Sequence, residues 1–137
     1  MKLLIFLVLL PLIAVAVPKQ PVIDGDDAAF VDDVTLPDGS TVQGGTTVTK
    51  TWRIRNTGTV EWAGRTLRVQ GRNYGFQVKA HPFSAKPGET VDVTVELVVP
   101  KKPDHYKINF KQWAELDGKW KMMLPNKNPV FIDINVK

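Results

Sequence analysis

The chain of 137 residues contains no cysteine and only two histidines, His81 and His105. The first absence excludes a disulfide scaffold, a thiol nucleophile and a thiolate metal site. The second leaves little for a zinc centre or a catalytic triad. His81 precedes Pro82, His105 follows Asp104, and neither stands at a diagnostic spacing from Ser40 or Ser84. No glycine-rich phosphate loop is present, and no carboxylate pair sits in a setting that raises a pKa. Sustained apolar spacing at i, i+3, i+4 and i+7 is also missing, so no helix longer than a turn is expected. The chain reads as a non-enzyme without cofactor or metal, a small binding or structural module.

What is present begins with an apolar leader. Lys2 precedes the run from Leu3 to Ile13, and Ala14-Val15-Ala16 has the small-x-small pattern of a signal-peptidase site. The stretch from Leu3 to Val17 falls short of the roughly 20 residues that span a bilayer. Residues 1–16 are read as a cleavable signal peptide, with an uncleaved anchor as the alternative and the sole route to membrane association. Residues 17–28 are read as an acidic linker and 29–137 as the folded domain. A secreted or periplasmic, cell-envelope location follows. An exported chain without cysteine points to a bacterial envelope, since small secreted eukaryotic Ig domains usually rely on disulfides.

The remainder alternates with period two. Val48, Trp52 and Ile54 share one face of a strand, with Thr49, Thr51, Arg53 and Arg55 opposite. Val91, Val93, Val95 and Leu97 alternate with Asp92, Thr94 and Glu96, and Val130, Ile132, Ile134 and Val136 with Phe131, Asp133 and Asn135. Shorter strands are expected over 29–35, 65–70 and 76–79. Pro37-Asp38-Gly39, Gly44-Gly45, Asn56-Thr57-Gly58 and Pro87-Gly88 punctuate these runs. Asp117-Gly118 reads as a two-residue hairpin of type I′. About seven to eight short strands in a chain of this length make an all-β, Ig-like antiparallel β-sandwich.

Two blocks carry a resemblance, Phe30 to Ser40 and Lys50 to Trp62. The more specific is Thr51 to Trp62, two tryptophans around an Arg-Asn-Thr-Gly-Thr turn. Lys86-Pro87-Gly88-Glu89 with the valines after it, Val99 to Tyr106, Trp113 to Gly118 and the closing Val130 to Ile134 continue the pattern. The chain resembles the four-tryptophan (FW) domain, an Ig-like module of selective-autophagy receptors and of many bacterial proteins. Trp52, Trp62 and Trp113 stand at family positions. Phe131 stands where the family's last tryptophan falls, and Trp120 lies where the pattern requires none. The resemblance implies protein recognition, because the receptors use this module in cargo binding. Those receptors are cytosolic and multidomain, so the autophagy role itself is not carried over.

The residues themselves suggest a core of Trp52, Trp62, Ile54, Val93, Val95, Ile132 and Ile134. Strict alternation from Tyr106 places Trp113 outside, whereas a bulge near Lys111-Gln112 would turn it inward. Trp120, Met122 and Leu124 read as core, and Phe131 as a half-exposed aromatic. The candidate partner surface comprises Phe131, Trp113, Lys107, Lys111, Lys119 and Lys121. It is expected to take a protein or peptide or, alternatively, to hold an anionic envelope polymer through the lysines in a structural or adhesion role. Nucleic acid is not expected. Six aspartates precede Gly39, against 16 basic and 8 acidic residues from Gly39 onward. The aspartate cluster fails the Ca²⁺-loop spacing, with Thr35 at the twelfth position, and reads as a solvated lead-in.

Overall fold

The computed structural model describes residues 2–11 and 20–137. The predicted cleavage site Ala14-Val15-Ala16 and the start of the linker lie outside the described residues. No helix among those described is long and apolar enough to cross a membrane. The chain forms ten strands: β1 (Ala29–Asp33), β2 (Ser40–Val42), β3 (Thr47–Arg55), β4 (Trp62–Gln70), β5 (Gln77–Ala80), β6 (Phe83–Ala85), β7 (Thr90–Val98), β8 (Asp104–Leu116), β9 (Lys119–Met122) and β10 (Val130–Val136). One sheet has the order β1-β3-β7-β5; the other has β2-β10-β8-β4-β6, with β9 also on β8. The architecture is the Ig-like sandwich that the alternation predicts. The strand count is higher because β2 and β6 are too short to show a period.

The alternating faces close on one core. Trp52, Ile54, Val93, Val95, Leu97, Ile108, Phe110, Ile132 and Ile134 are buried from both sheets. Trp52 packs on Phe110 with ring centroids 5.4 Å apart. Its indole N–H donates to the Phe131 carbonyl at 3.1 Å, tying β3 to β10 across the sandwich. Trp62 is fully buried at one end, edge-on to Phe83. Asp117 and Gly118 both have positive φ, 53° and 76°, which a type I′ hairpin requires.

The Asn-Thr-Gly-Thr turn does more than reverse the chain. Asn56 is completely buried, donating from Nδ2 to the carbonyls of Val60 (2.8 Å) and Ala85 (3.0 Å). Its backbone carbonyl accepts from the Gly88 N–H at 2.8 Å, so the Asn56-Thr57-Gly58 and Pro87-Gly88 turns are pinned to each other. Thr59 N–H in turn donates to Gly25 O at 2.9 Å, holding the 23–27 segment across this turn. A Cβ on Gly58 would collide with the Gly25 carbonyl and stand 2.6 Å from the Asp27 nitrogen, so only glycine admits that crossing.

This crossing corrects the expectation of a solvated acidic lead-in. Ile23 and Ala28 pack against buried side chains, and Asp26 is 4% exposed. Asp26 Oδ2 lies 2.9 Å from Arg65 Nη1, and Asp26 Oδ1 accepts from Trp62 Nε1 at 3.0 Å. Asp27 meets Lys127 at 2.8 Å, and Asp33 meets the fully buried Lys50 at 2.7 Å. The aspartates are counter-charges for cations of the body. Burying Arg65 and Lys50 without them would cost several kcal/mol each, whereas the Asp27–Lys127 pair is partly solvated.

Candidate functional site

β9 and β10 lie along the same edge of β8. β9 pairs with residues 113–116 and β10 with 104–110, both antiparallel. They form one interrupted strand, and the interruption, residues 123–129, loops out opposite Lys111 and Gln112. Met123 N–H still donates to Gln112 O at 2.7 Å, after which the chain leaves the ladder. Leu124 turns it with φ 53°, a conformation that costs a β-carbon-bearing residue about 1–2 kcal/mol. Met123 and Leu124 are buried with Ala114 in a second small core. Lys111 places its ammonium inside the loop, donating to the Leu124 carbonyl at 3.1 Å and to the Lys127 carbonyl.

Where the loop leaves β8, the sandwich opens. A cleft of about 420 Å³ lies between β1 and the 123–131 segment. Its floor is core, including Trp52, Ile54 and Phe110, and its rim carries Phe30, Lys127 and Phe131. β1 is an edge strand, hydrogen-bonded on β3 alone. Its register slips between Phe30 and Asp32, so Val31 has no partner in the ladder. Phe30 is 57% exposed and Val31 48%. Lys50 donates to the carbonyl of Leu36, a residue with φ 51°, at 2.8 Å.

The proposed partner surface is only partly assembled. Register is continuous from Gln70↔Asn109 to Thr66↔Trp113, so β8 carries no bulge. Trp113 therefore faces outward, half-buried, and Gln112 takes the inward position, accepting from Arg65 Nη1 at 3.1 Å. Lys111 is 5% exposed and committed to the loop, a correction to its place in a lysine surface. Lys119 and Lys121 oppose Leu116 and Ala114, hence share the face of the small core, away from Lys107. The four lysines do not converge. Trp120, expected in the core, is 42% exposed because it shares the outer face with Trp113. Phe131 is half-buried, with Lys107 Nζ 4.3 Å from its ring centroid.

Among the described residues, no three His, Asp or Glu side chains come together in a way that could hold a metal ion. Sequence reasoning missed the buried polar set of Asp26, Lys50, Arg65 and Gln112. Phase alone would have found two of them, because Lys50 shares a face with Val48 and Trp52, and Arg65 with Leu67.

Residues 35–136 match the family described as the Ig-like domain from next to BRCA1 gene. The chain belongs to that family. Protein ILRUN of Danio rerio is 36% identical over 106 residues, covering 76% of this chain and 34% of that protein. The Next to BRCA1 gene 1 protein of Rattus norvegicus is 46% identical over 99 residues, covering 69% and 10%. Protein NBR1 homolog of Arabidopsis thaliana is 31% identical over 98 residues, covering 67% and 14%. The chain thus spans between 10% and 34% of these curated relatives. The paired turns at Asn56 and Gly88 fall within the matched region. The 23–27 segment and β1 lie before the matched region begins, yet Asp26 contributes to the burial of Trp62 and Arg65 within it.

Proposed function

We propose that this Ig-like domain is a non-catalytic, exported module that binds a protein or peptide partner along the free edge of β1 and into the cleft beside it. The observation that carries the reading is an apolar stretch on a sheet edge guarded only by Asp32 and the register slip at Val31: Phe30 and Val31, 57% and 48% exposed, stand beside an opening onto the core. Soluble sheets normally protect such edges with charge, proline or a covering element. An added strand would find backbone groups on β1 and a pocket for one side chain in the cleft, the usual logic of strand addition. Similarity to domains of ILRUN and of next to BRCA1 gene 1 supports recognition of a protein over a small molecule. The leader from Leu3 to Ile13 supports export. The anionic-polymer reading has no convergent lysine surface to rest on.

The test places a photo-crosslinking amino acid at Val31 in the full chain, expressed in its native compartment. A discrete adduct is expected from position 31 and not from Gln77 on the opposite edge strand, and Phe30→Asp abolishes it without lowering the melting temperature. Equal adducts from positions 31 and 77, or no effect of Phe30→Asp, would overturn the reading.

A further inference from the structure

The outer face of the six-stranded sheet holds a second feature, away from the cleft. Arg68 on β4 extends its guanidinium over two indoles, with Cζ 4.8 Å from the Trp113 ring centroid and 5.0 Å from that of Trp120. Trp113 and Trp120 come from β8 and β9, the two arms of the Asp117-Gly118 hairpin. Arg68 itself is exposed, as is Trp120. Among the described residues, Arg68 forms no ion pair and its guanidinium donates no hydrogen bond. Arg65, stacked over Trp62 in the interior, holds Asp26, whereas the exposed Arg72, over Tyr74, is like Arg68 in forming no ion pair. On the same face, Lys107 stacks on Phe131, and Asp133 is engaged by His105 at 2.6 Å. Glu115, opposite Trp120 in the ladder, makes no ion pair with Arg68.

A guanidinium held against aromatic rings, with no hydrogen bond of its own, has N–H groups to offer and has lost rotamer freedom in advance. Such a fork matches a carboxylate with two parallel hydrogen bonds. The indoles supply an apolar wall beside it. We infer that Arg68, Trp113 and Trp120 form an acceptor site for a carboxylate-bearing peptide, an Asp or Glu side chain next to an apolar residue. The site is independent of the β1 edge. It also explains why a tryptophan is exposed where the hairpin would fold as well with a polar residue. The lysines near the hairpin are not required; the charge that matters is the stacked arginine.

The probe is a library of random heptapeptides with blocked termini, panned against the full chain. Peptides retained by Phe30→Asp but lost by Arg68→Gln are expected to carry Asp or Glu beside an aromatic or aliphatic residue. For the best of these, exchanging Glu for Gln is expected to weaken binding by about tenfold or more. Arg68→Lys, which keeps the charge but not the fork, should weaken it nearly as much. Binding should quench Trp120 fluorescence. Arg68 is exposed, so Arg68→Gln is expected to melt with the parent. Winners without acidic enrichment, equal retention on Arg68→Gln, or binding of anionic lipid vesicles in preference to any peptide would each overturn the inference.

Discussion

Replacing Asp26 by alanine puts the docked lead-in at risk most directly. Its carboxylate and the Arg65 guanidinium are 0% and 2% exposed and 2.9 Å apart. Removing one partner of such a pair strands the other charge away from water, at a cost of about 3–5 kcal/mol. Trp62 loses its acceptor in the same substitution, a further ~1–3 kcal/mol that overlaps with the first because Asp26 serves both. A domain of this size has about 5–15 kcal/mol in total. Urea unfolding of Asp26→Ala is therefore expected to lose at least ~3 kcal/mol with an unchanged slope. Arg65→Met alone strands the carboxylate and should lose a similar amount. The double variant, Asp26→Leu with Arg65→Met, should recover most of it, since apolar replacement of a whole buried pair is close to neutral. An Asp26→Ala loss below about 1 kcal/mol, or a double variant whose losses simply add, would refute the account.

Three further outcomes follow from the same geometry. Lys111→Met leaves two loop carbonyls without their ammonium and should cost about 1–3 kcal/mol, with hydrogen exchange accelerated over 123–129 and unchanged in β7. Gly58→Ala forces the 23–27 segment off its turn, and limited proteolysis should then cut near Asp24 while the sandwich stays intact. Asp27 has its pKa lowered below 3.8, chiefly by its hydrogen bond to Lys127. A depressed folded-state value means this contribution is complete above pH 3.8 and disappears as pH falls through the lower folded value. Asp27→Asn should flatten that part of the acid dependence, read as the urea midpoint from pH 6 down to pH 2.5; an unchanged slope between variants would contradict it.

The fold was legible because period-two alternation survives without context. Val91 to Leu97 and Val130 to Val136 declare an inner face, and Asp117-Gly118 declares a hairpin, from local chemistry alone. The candidate site was legible only in fragments. Phe131 is out of phase with its aliphatic neighbours, which is a local signal, and it is half-buried. Lys111 is in phase with exposed residues, yet it is buried because a loop distant by more than ten positions folds over it. Trp113 depended on whether one residue was inserted in β8, and the unbroken register with β4 decides that it faces out.

The sequence by itself determined the class of fold, the glycine-marked turns and most of the apolar core, since each follows from spacing along a single strand. Tertiary structure decided where the charges go. Six aspartates ahead of Gly39 look like a solvated tail until the sandwich brings Arg65, Lys50 and Lys127 to meet Asp26, Asp33 and Asp27. It also decided that Arg68 finds two indoles and no carboxylate, because those groups lie on three different strands. Alternation is a property of neighbours in the chain, whereas charge pairing depends on distance in space, and only the packed sheets set that distance.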